Sequence, residues 1–363
     1  MIRVGIVGAT GYAGEELIRL LLGHEKALIT KLVSRTFVGQ FMEDVYPSYF
    51  GYDLPRFEKA SKVELASECD VVFFASPSGT AWPWIRDLIS INPRIKIIDI
   101  GSDLRLKDPL LYKEWYGYEH GAPELLLKSV YGLTELNFEK ITNAGLVANP
   151  GCYPTAVILA FAPLLHFGLI GVDSIIVNAL TGISGAGRAL SQGYHFPECN
   201  ENMKAYGLLR HRHVPEIEQE LNIIGKAIGR DEPVCLSFTP HVVPLNRGIL
   251  ITGYGDFRWD KAKVSDLNIK PDTLGLTQLY KDFYHGKKFI RIRPADQVPQ
   301  TKAVAGSNYC DISIRADERT GRILVMSAID NLVKGAAGQA VQNMNLMFGE
   351  PEDTGLNLAP LWL

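Results

Sequence analysis

The sequence predicts an α/β fold, in which a doubly wound parallel sheet precedes an α+β domain with a mainly antiparallel sheet. Three observations support this prediction. The chain has 363 residues, whereas chains longer than about 300 residues usually divide into domains that each have their own hydrophobic core. Short apolar runs alternate with helical patterns up to residue 150, and runs that alternate apolar and polar side chains follow. We therefore expect two domains.

The first half of the chain has the pattern of βαβ units. Its continuous apolar runs predict strands that are covered on both faces, as in a parallel sheet. Between the first two runs, Leu17, Ile18 and Leu21 recur at helical spacing, and Gly23 marks the helix end. The predicted strands of this half are residues 4–7, 29–34, 71–75, 95–100 and 146–148.

The second half has a different pattern. Pro154 predicts a helix start, and the later apolar runs alternate with polar residues, as in an antiparallel sheet with one wetter face. A last helix is predicted at residues 333–348, where Gly335 and Ala336 are small enough to allow close approach to a neighbouring element or ligand. The predicted strands of this half are residues 174–180, 234–238, 249–254, 309–315 and 323–329.

Charge and cysteine content exclude several classes of protein. Lys and Arg number 37 and Asp and Glu 40, for a net charge of −3, so no positive field would attract nucleic acid or an anionic membrane. The five cysteines are odd in number and lack CxxC spacing. This favours a reducing compartment over a disulfide framework or a Cys-rich zinc module. We expect a cytoplasmic protein without nucleic-acid partners.

No membrane segment is expected. The first residues run directly into a predicted strand, which leaves no space for a signal peptide. The most apolar stretch, residues 155–172, is about as long as a minimal membrane span, but Pro163, His166 and Gly168 interrupt it. We interpret this stretch as a buried helix followed by a turn.

A glycine-rich turn follows the first predicted strand. Gly8, Gly11 and Gly14 stand where the chain must turn tightly, approach a pyrophosphate and pack a helix against a strand. Backbone N–H groups at the helix N-terminus then bind phosphate. The spacing is GxxGxxG, and a purely structural tight turn is the alternative. The strand–turn–helix context favours a Rossmann-type dinucleotide site.

The end of the second predicted strand bears on the choice of cofactor. At the position where an NAD enzyme places an acid on the ribose 2′-hydroxyl, this chain has Ser34 and Arg35. An arginine suits a 2′-phosphate, which predicts NADP(H). A solvated arginine at a strand end is the alternative.

Cys152 is the candidate nucleophile. It lies in the segment that runs from Asn149 to Thr155, and Pro154 places it at or just before a helix start. The helix dipole favours a thiolate at that position. Most lone cysteines are buried apolar residues instead, but the turn at the expected junction between domains favours a catalytic role.

His211 and His213 are the candidate proton partners of that thiolate. Zinc binding with Glu198 or Cys199 is one alternative, although no compact zinc spacing is present. A solvated His-Arg-His loop is the other. We expect no metal.

Two further segments follow predicted strands. Arg105 ends the segment that begins at Gly101, just beyond the carboxyl end of a parallel strand, where α/β sheets bind ligands. The segment from Ser184 to Arg188 offers flexible backbone donors to an anion or to the nicotinamide region. Either segment could also be an ordinary loop.

Together these segments resemble the semialdehyde dehydrogenase family, and within it the N-acetyl-γ-glutamyl-phosphate reductases of arginine biosynthesis. The resemblance spans nearly the whole chain, and its motifs are together highly specific. They are GATGYAG from Gly8, GSDLR from Gly101, NPGCYPT from Asn149, SGAGR from Ser184, HRHVPEI from His211, PLNRGI from Pro244, GSN from Gly306 and DNLVKGAAGQA from Asp330.

The resemblance implies NADPH-dependent reduction of an acyl phosphate to an aldehyde, with Cys152 as nucleophile and His211 as acid/base. Because residues 192–209 match least well, the roles of His211 and His213 remain interchangeable. Arg105 would hold the substrate phosphate. The implied substrate-binding residues are Arg105, Asn149, Ser184 and His213. The implied cofactor-binding residues are Gly8, Thr10, Gly11, Tyr12, Ala13, Gly14, Ser34, Arg35, Ser76, Pro77, Gly185 and Asn331.

The expected domains follow from these assignments. Residues 1–150 form an NADP-binding domain, completed by a C-terminal helix at about 331–363. Residues 151–330 form a catalytic and dimerisation domain. The exposed antiparallel sheet predicted there makes a homodimer or homotetramer the expected assembly.

Two rival functions remain at this point, and a third, a short-chain dehydrogenase, rests on a match that we treat as coincidence. A reductase of another acyl phosphate, such as aspartyl phosphate, would share the cofactor domain and the cysteine. A short-chain dehydrogenase needs a YxxxK pair, and the match from Tyr284 to Lys288 lies deep in the second domain. A non-catalytic NADPH-sensing regulator would leave Cys152 and His211 without roles.

Overall fold

The computed structural model describes residues 1–258 and 270–362. Residues 259–269 of the predicted second domain and residue 363 of the predicted C-terminal segment lie outside the described residues. The chain divides into two compact units. Unit 1 consists of Met1–Gly151 and Ala336–Leu358, and unit 2 of Cys152–Gly335 and Ala359–Leu363.

The strands and helices of the described residues are numbered in chain order. The strands are β1 (Ile2–Val7), β2 (Ala27–Val33), β3 (Phe57–Glu58), β4 (Val71–Phe74), β5 (Lys96–Asp99), β6 (Val130–Tyr131), β7 (Leu146–Ala148), β8 (Ile175–Thr181), β9 (Lys204–Ala205), β10 (Leu236–Val242), β11 (Ile249–Asp256), β12 (Ile290–Ile292), β13 (Cys310–Asp317) and β14 (Arg322–Ile329). The helices are α1 (Tyr12–Leu22), α2 (Met42–Val45), α3 (Lys62–Glu68), α4 (Trp82–Ile91), α5 (Pro109–Tyr116), α6 (Pro123–Lys128), α7 (Thr134–Thr142), α8 (Cys152–His166), α9 (Phe196–Cys199), α10 (Val214–Ala227), α11 (Thr273–Phe283) and α12 (Gly338–Met347). A π-helical turn, Val333–Ala337, precedes α12.

Unit 1 contains a parallel sheet in the order β3-β2-β1-β4-β5-β7-β6, with every neighbouring pair parallel. β2 and β4 lie on opposite sides of β1, so the strand order reverses there. Such a switch point opens a crevice at the carboxyl ends of the strands, where α/β sheets bind ligands. The predicted doubly wound parallel sheet is confirmed. α12 packs against α1, α7 and β5 of the same unit.

Unit 2 contains a mixed sheet in the order β12-β13-β14-β11-β8-β10-β9. The pairs β12–β13 and β8–β10 are parallel, and the remaining neighbouring pairs are antiparallel. The predicted α+β domain with a mainly antiparallel sheet is therefore confirmed.

One strand boundary differs clearly from the prediction. The strand expected at residues 234–238 lies at Leu236–Val242 and continues through Pro240. β9 pairs only with His241 and Val242, so β10 is an edge strand for most of its length. A proline is tolerated there because an edge strand does not use every backbone N–H.

The apolar stretch after residue 152 forms the buried helix α8, followed by a turn in which Gly168 has a φ of +70°. Pro163 lies inside this helix and has no N–H to offer the carbonyl of Leu159 one turn earlier. The Tyr284 hydroxyl donates to that carbonyl instead. The predicted buried helix is confirmed. Within the described ranges, no helix is long and apolar enough to cross a membrane.

Candidate active site

The glycine turn after β1 is shaped by close backbone contacts. Gly8 has a φ of +86°, and its N–H donates to the carbonyl of Val33 at 3.0 Å. A Cβ atom on Gly8 would lie 2.3 Å from the Ala75 carbonyl oxygen, and one on Gly14 would lie 2.4 Å from the Gly8 carbonyl oxygen. Only glycine fits at these two positions, so the backbone itself forms the surface of the turn.

This turn fits the phosphates of a dinucleotide. α1 begins with Tyr12 and Ala13, and the residue before it is Gly11, which has no side chain to cap the helix. The first N–H groups of the helix therefore remain available to an anion, which the helix dipole also favours. Thr10 lies next to the turn, and its Oγ1 is 3.2 Å from the Ser34 Oγ.

The end of β2 fits a 2′-phosphate. Ser34 is buried, whereas Arg35 is exposed and makes no hydrogen bond or ion pair to any residue that the structure describes. The N–H groups of Gly8 and Ala9 both donate to the Val33 carbonyl, which holds the end of β2 against the glycine turn. An unpaired guanidinium therefore lies one residue beyond a strand end that adjoins the predicted phosphate site.

The residues after β4 form a tight turn. The Thr80 hydroxyl lies 3.0 Å from the Ser76 Oγ and donates to the Pro77 carbonyl at 2.6 Å. Ser76 is half-buried and Pro77 is exposed. Both lie directly beyond the carboxyl end of β4, as the prediction of a cofactor contact requires.

Asp103 caps the next helix. Its carboxylate accepts hydrogen bonds from the N–H groups of Gly79 at 2.6 Å, Ala81 at 3.0 Å and Trp82 at 3.1 Å. The side chain is buried. The carboxylate thus satisfies the N-terminus of α4 and joins the turn after β4 to the segment from Gly101 to Arg105.

Asp99 and Arg105 organise that segment. The Asp99 carboxylate accepts from the N–H groups of Gly101 at 2.9 Å and Asp103 at 3.1 Å. Burial, and then repulsion from Asp103, raise the pKa of the Asp99 carboxyl well above its usual value. Arg105 is only 6% exposed, and it donates to the carbonyls of Asn149 at 2.9 Å and Ile100 at 2.8 Å. Its predicted role in phosphate binding stays a prediction.

Asn149 is fully buried, and all four of its polar atoms are bound within unit 1. Its N–H donates to the Asp99 carbonyl at 2.8 Å, and its carbonyl accepts from Arg105. Its Oδ1 accepts from the Asn343 side chain at 3.0 Å, and its Nδ2 donates to the Ala336 carbonyl at 3.1 Å. Its predicted contact with substrate stays a prediction.

Cys152 is the first residue of α8, as the sequence predicts, and it is half-buried. Gly335 lies against it: a Cβ atom on Gly335 would be 2.8 Å from the Cys152 Cβ. The expected close approach of the small residues before α12 is therefore observed at the candidate nucleophile. The cysteine lies at a helix N-terminus, where a thiolate is stabilised.

The histidine pair lies around the ring of Tyr153, the residue after Cys152. The centroid of that ring is 5.7 Å from the His211 centroid and 5.9 Å from the His213 centroid. The N–H of His213 donates to the His211 Nδ1 at 3.2 Å. Burial, and then the charge of Arg212, lower the pKa of His211 to about 4. His211 is therefore a neutral imidazole near pH 7.

The remaining predicted residues of unit 2 also meet. The Asn331 Nδ2 donates to the Ser184 Oγ at 2.9 Å, and the Asn331 Oδ1 accepts from the N–H of Gly248 at 2.7 Å. Gly185 lies nearby, since a Cβ atom there would be 3.8 Å from the Asn331 Nδ2.

As for metals, no cluster of three or more His, Cys, Asp or Glu side chains that could hold an ion occurs among the described residues.

Two family descriptions match the chain: "Semialdehyde dehydrogenase, NAD binding domain" at residues 3–144 and "Semialdehyde dehydrogenase, dimerisation domain" at residues 152–331. N-acetyl-gamma-glutamyl-phosphate reductase of Desulforamulus reducens is 48% identical and covers 100% of both chains. The protein of the same name from Pelotomaculum thermopropionicum is 49% identical over 98% of this chain and 97% of its own. The chain belongs to the N-acetyl-gamma-glutamyl-phosphate reductase family. The predicted family is therefore confirmed.

Solved structures share the fold of this reductase family member. Aspartate semialdehyde dehydrogenase II of Vibrio cholerae, complexed with ASA, has a TM-score of 0.69 at 17% identity and covers 96% of this chain and 98% of its own. Aspartate semialdehyde dehydrogenase of Candida albicans, with NADP, has a TM-score of 0.66 at 15% identity, with 96% and 98% covered. At these identities the similarity concerns the fold alone.

The structure of the reductase family member also reveals residues that the sequence analysis did not single out. Asp103 and Asn343 are buried polar residues with several partners, and the Tyr153 ring contacts both histidines. Asp103 could have been suspected, because it stands inside the GSDLR motif. Asn343 is 194 residues from its partner Asn149, and no local pattern indicates such a pairing.

Proposed function

We propose that the chain is an NADPH-dependent N-acetyl-γ-glutamyl-phosphate reductase of arginine biosynthesis. It converts N-acetyl-γ-glutamyl phosphate to N-acetylglutamate γ-semialdehyde and inorganic phosphate. The structural observation that carries the proposal is Cys152 at the first residue of α8, with His211 against the ring of the adjacent Tyr153. Full-length relatives of this name at 48% and 49% identity support it.

The proposed chemistry begins with Cys152. The N-terminus of α8 favours its thiolate, and His211, a neutral imidazole near pH 7, accepts the thiol proton. The sulfur attacks the γ-acyl carbon, so that a carbon–sulfur bond forms and the bond from that carbon to the phosphate oxygen breaks. The product is a thioester on Cys152, and phosphate leaves.

The thioester is then reduced and released. Bound NADPH supplies the hydride for this reduction. His211 returns its proton to the developing alkoxide. His211 takes that proton back as the carbon–sulfur bond breaks, which releases the aldehyde and the Cys152 thiolate, and the transfer of the proton from His211 to the sulfur restores both residues. The residues that would hold the cofactor are Gly8, Thr10, Gly11, Tyr12, Ala13, Gly14, Ser34, Arg35, Ser76, Pro77, Gly185 and Asn331.

Substrate binding is assigned to Arg105, Asn149, Ser184 and His213. Arg105 would hold the transferred phosphate, because its planar guanidinium matches the oxygens of a phosphate group. His213 takes the acid/base role if the two histidines are exchanged. The ring contacts of Tyr153 with both histidines support either assignment.

The wider organisation is proposed on the same basis. Residues 1–150, with the C-terminal helix at about 331–363, form the NADP-binding domain, and residues 151–330 form the catalytic and dimerisation domain. Exposed apolar side chains in the second sheet, such as Ile176 at 41% exposure, support a homodimer or homotetramer. All five cysteines are free, which supports a cytoplasmic location.

The proposal is tested in the reverse direction, by phosphate-dependent reduction of NADP with two aldehydes in parallel. We expect N-acetylglutamate γ-semialdehyde to be used with a higher kcat/KM than aspartate semialdehyde. Preference for aspartate semialdehyde would show that the proposed substrate is wrong. Turnover that does not require phosphate would exclude the acyl-phosphate reaction.

A further inference from the structure

We propose that the side-chain amides of Asn149 and Asn343 form a positioning pair for the Cys152 nucleophile. In this proposal Asn149 acts by holding the backbone just before Cys152, and Asn343 acts by holding Asn149. The inference rests on the proposed function only in taking Cys152 as the nucleophile.

The first support is the bonding of Asn149. Its N–H, its carbonyl and both polar atoms of its side chain are bound to Asp99, Arg105, Asn343 and Ala336, and it is fully buried. A buried amide with this many partners has one orientation, because any rotation leaves a buried polar group without a hydrogen bond. Its amide therefore fixes the backbone in which it lies.

Asn343 is held as firmly as Asn149. Its Oδ1 accepts from the Thr134 hydroxyl at 3.1 Å, and its Nδ2 donates to the Gly132 carbonyl at 2.9 Å and to Asn149. A Cβ atom on Gly132 would lie 2.4 Å from the Asn343 Nδ2, so this approach requires glycine. The hydrogen bond from the Asn343 Nδ2 to the Asn149 Oδ1 therefore restricts the orientation of Asn149 as well.

The second support is where these bonds lie along the chain. The chain leaves unit 1 after Gly151 and re-enters it at Ala336. Within unit 1, Asn149 bonds the Ala336 carbonyl. Within unit 2, Gly335 lies against Cys152. The residue that precedes Ala336 is therefore the one that packs on the nucleophile, and Asn149 holds the carbonyl group of the residue that follows it.

This arrangement has a direct consequence for catalysis. A shift of about 1 Å in a reacting group can lower the rate about 100-fold. If the amide pair is broken, the segments that end at Gly151 and begin at Ala336 lose their fixed spacing. The Cys152 thiolate would then be displaced, while the glycine turn of the cofactor site would stay intact.

The test uses Asn343→Leu in the full-length protein, which keeps the side-chain size but removes the bond to Asn149. The matched control is Thr134→Val, which also removes a buried hydrogen bond to Asn343 but leaves the Asn149 contact in place. If Asn343→Leu does not fold, Asn149→Ser is used, since its short hydroxyl cannot span both Asn343 and Ala336. The readouts are kcat, KM, NADPH affinity, the melting temperature and the pH dependence of iodoacetamide labelling at Cys152.

We expect Asn343→Leu to lower kcat at least tenfold and to shift the pH profile of Cys152 labelling, with NADPH affinity within about twofold of wild type. Thr134→Val should lower the melting temperature but leave kcat and the labelling profile within about twofold. A folded Asn343→Leu or Asn149→Ser variant with wild-type kcat and labelling would overturn the positioning role, as would equal effects in the Thr134→Val control.

Labelling separates this inference from the proposed function. If the wild-type chain reduces no acyl phosphate but the labelling profile of Cys152 still shifts in Asn343→Leu, then the substrate assignment fails and the positioning role stands. If the wild type is active and labelling does not shift, only the positioning role fails.

Discussion

Gly335 lies so close to Cys152 that a methyl group on it would stand 2.8 Å from the Cβ of the cysteine. Carbon atoms do not approach that closely, so Gly335→Ala must displace either the π-helical turn or the start of α8. We expect kcat to fall at least tenfold. Gly225→Ala in α10 is the matched control, because the nearest atom to a Cβ atom there is 3.9 Å away, and it should keep full activity. Steady-state kinetics of both variants decide the point, and unchanged kcat in Gly335→Ala would contradict it.

Cys152 should be the most reactive of the five thiols. Cys235 is exposed whereas Cys152 is half-buried, so accessibility alone would favour Cys235. We expect iodoacetamide to label Cys152 at least tenfold faster than Cys235 at pH 7, because a helix N-terminus stabilises the reactive thiolate form. Peptide mass spectrometry over a time course measures both rates. Cys152→Ala should lose turnover and keep NADPH binding, and faster labelling of Cys235 would argue against an activated thiol.

His211 should give the enzyme a specific response to acid. Its pKa is about 4 in the folded protein and about 6.5 in an unfolded chain, so the unfolded state binds more protons between these values. The stability is therefore highest above pH 6.5 and falls as the pH drops toward 4. Melting temperatures at pH 7.5 and 4.5 should show a larger loss for the wild type than for His211→Asn. Equal losses in both proteins would show that His211 does not titrate in this range.

The same histidine should dominate acid–base catalysis. We expect His211→Asn to lower kcat about 100- to 10,000-fold, the usual range for removal of a general acid–base group. His213→Asn is the comparison, since its ring lies at a similar distance from Tyr153. If His213→Asn causes the larger loss in steady-state kinetics, the two roles must be exchanged.

Arg35 should determine the preference for NADPH. Arg35→Ala removes a charged partner of the 2′-phosphate, and a hydrogen bond to a charged group contributes about 1.5–3 kcal/mol. We expect KM for NADPH to rise roughly 10- to 100-fold and KM for NADH to stay within about twofold. Arg94→Ala, another exposed arginine of unit 1, is the control and should change neither value. Equal rises in KM for NADPH and NADH in Arg35→Ala would show that Arg35 does not bind the 2′-phosphate.

Arg105 should affect phosphate use and turnover together. Arg105→Lys keeps the charge but loses the planar guanidinium, which also binds the carbonyls of Asn149 and Ile100. In the reverse reaction we expect KM for phosphate to rise about tenfold and kcat to fall as well. Kinetics with phosphate as the varied substrate provide the measurement. An unchanged KM with a lowered kcat would leave Arg105 with a purely structural role.

The sequence predicted the fold well because its signals are local. Continuous apolar runs mark the buried parallel strands, and alternation marks the strands of the second sheet. Gly8 and Gly14 could be placed because their neighbours in the sequence form the same turn. The prediction for β10 ended four residues early, since the sequence does not reveal that a strand containing Pro240 has only a two-residue neighbour on one side.

The candidate site could be predicted only in part. Cys152 and His211 could be predicted as nucleophile and proton partner from their residue types and the motifs in which they lie. Asn149 also stood out through its motif, but its four partners come from two segments far from it in the sequence, Asp99 with Arg105 and Ala336 with Asn343. The low pKa of His211 results from burial, which depends on the folded surroundings and not on the residues beside it. Such properties arise from long-range packing and leave no periodic trace in the sequence.

The return of the chain to unit 1 at Ala336 also affects how the protein forms during synthesis. Unit 1 needs α12, which packs on α1, α7 and β5, yet α12 leaves the ribosome only after the whole of Cys152–Gly335. Except for the few residues after Leu358, unit 2 is complete before α12 appears. Most nascent proteins fold their N-terminal domain first. In this chain, by contrast, the parallel sheet of unit 1 remains without α12 until unit 2 has been synthesised. Truncation just before Ala336 should therefore leave unit 1, and not unit 2, as the part that depends on chaperones.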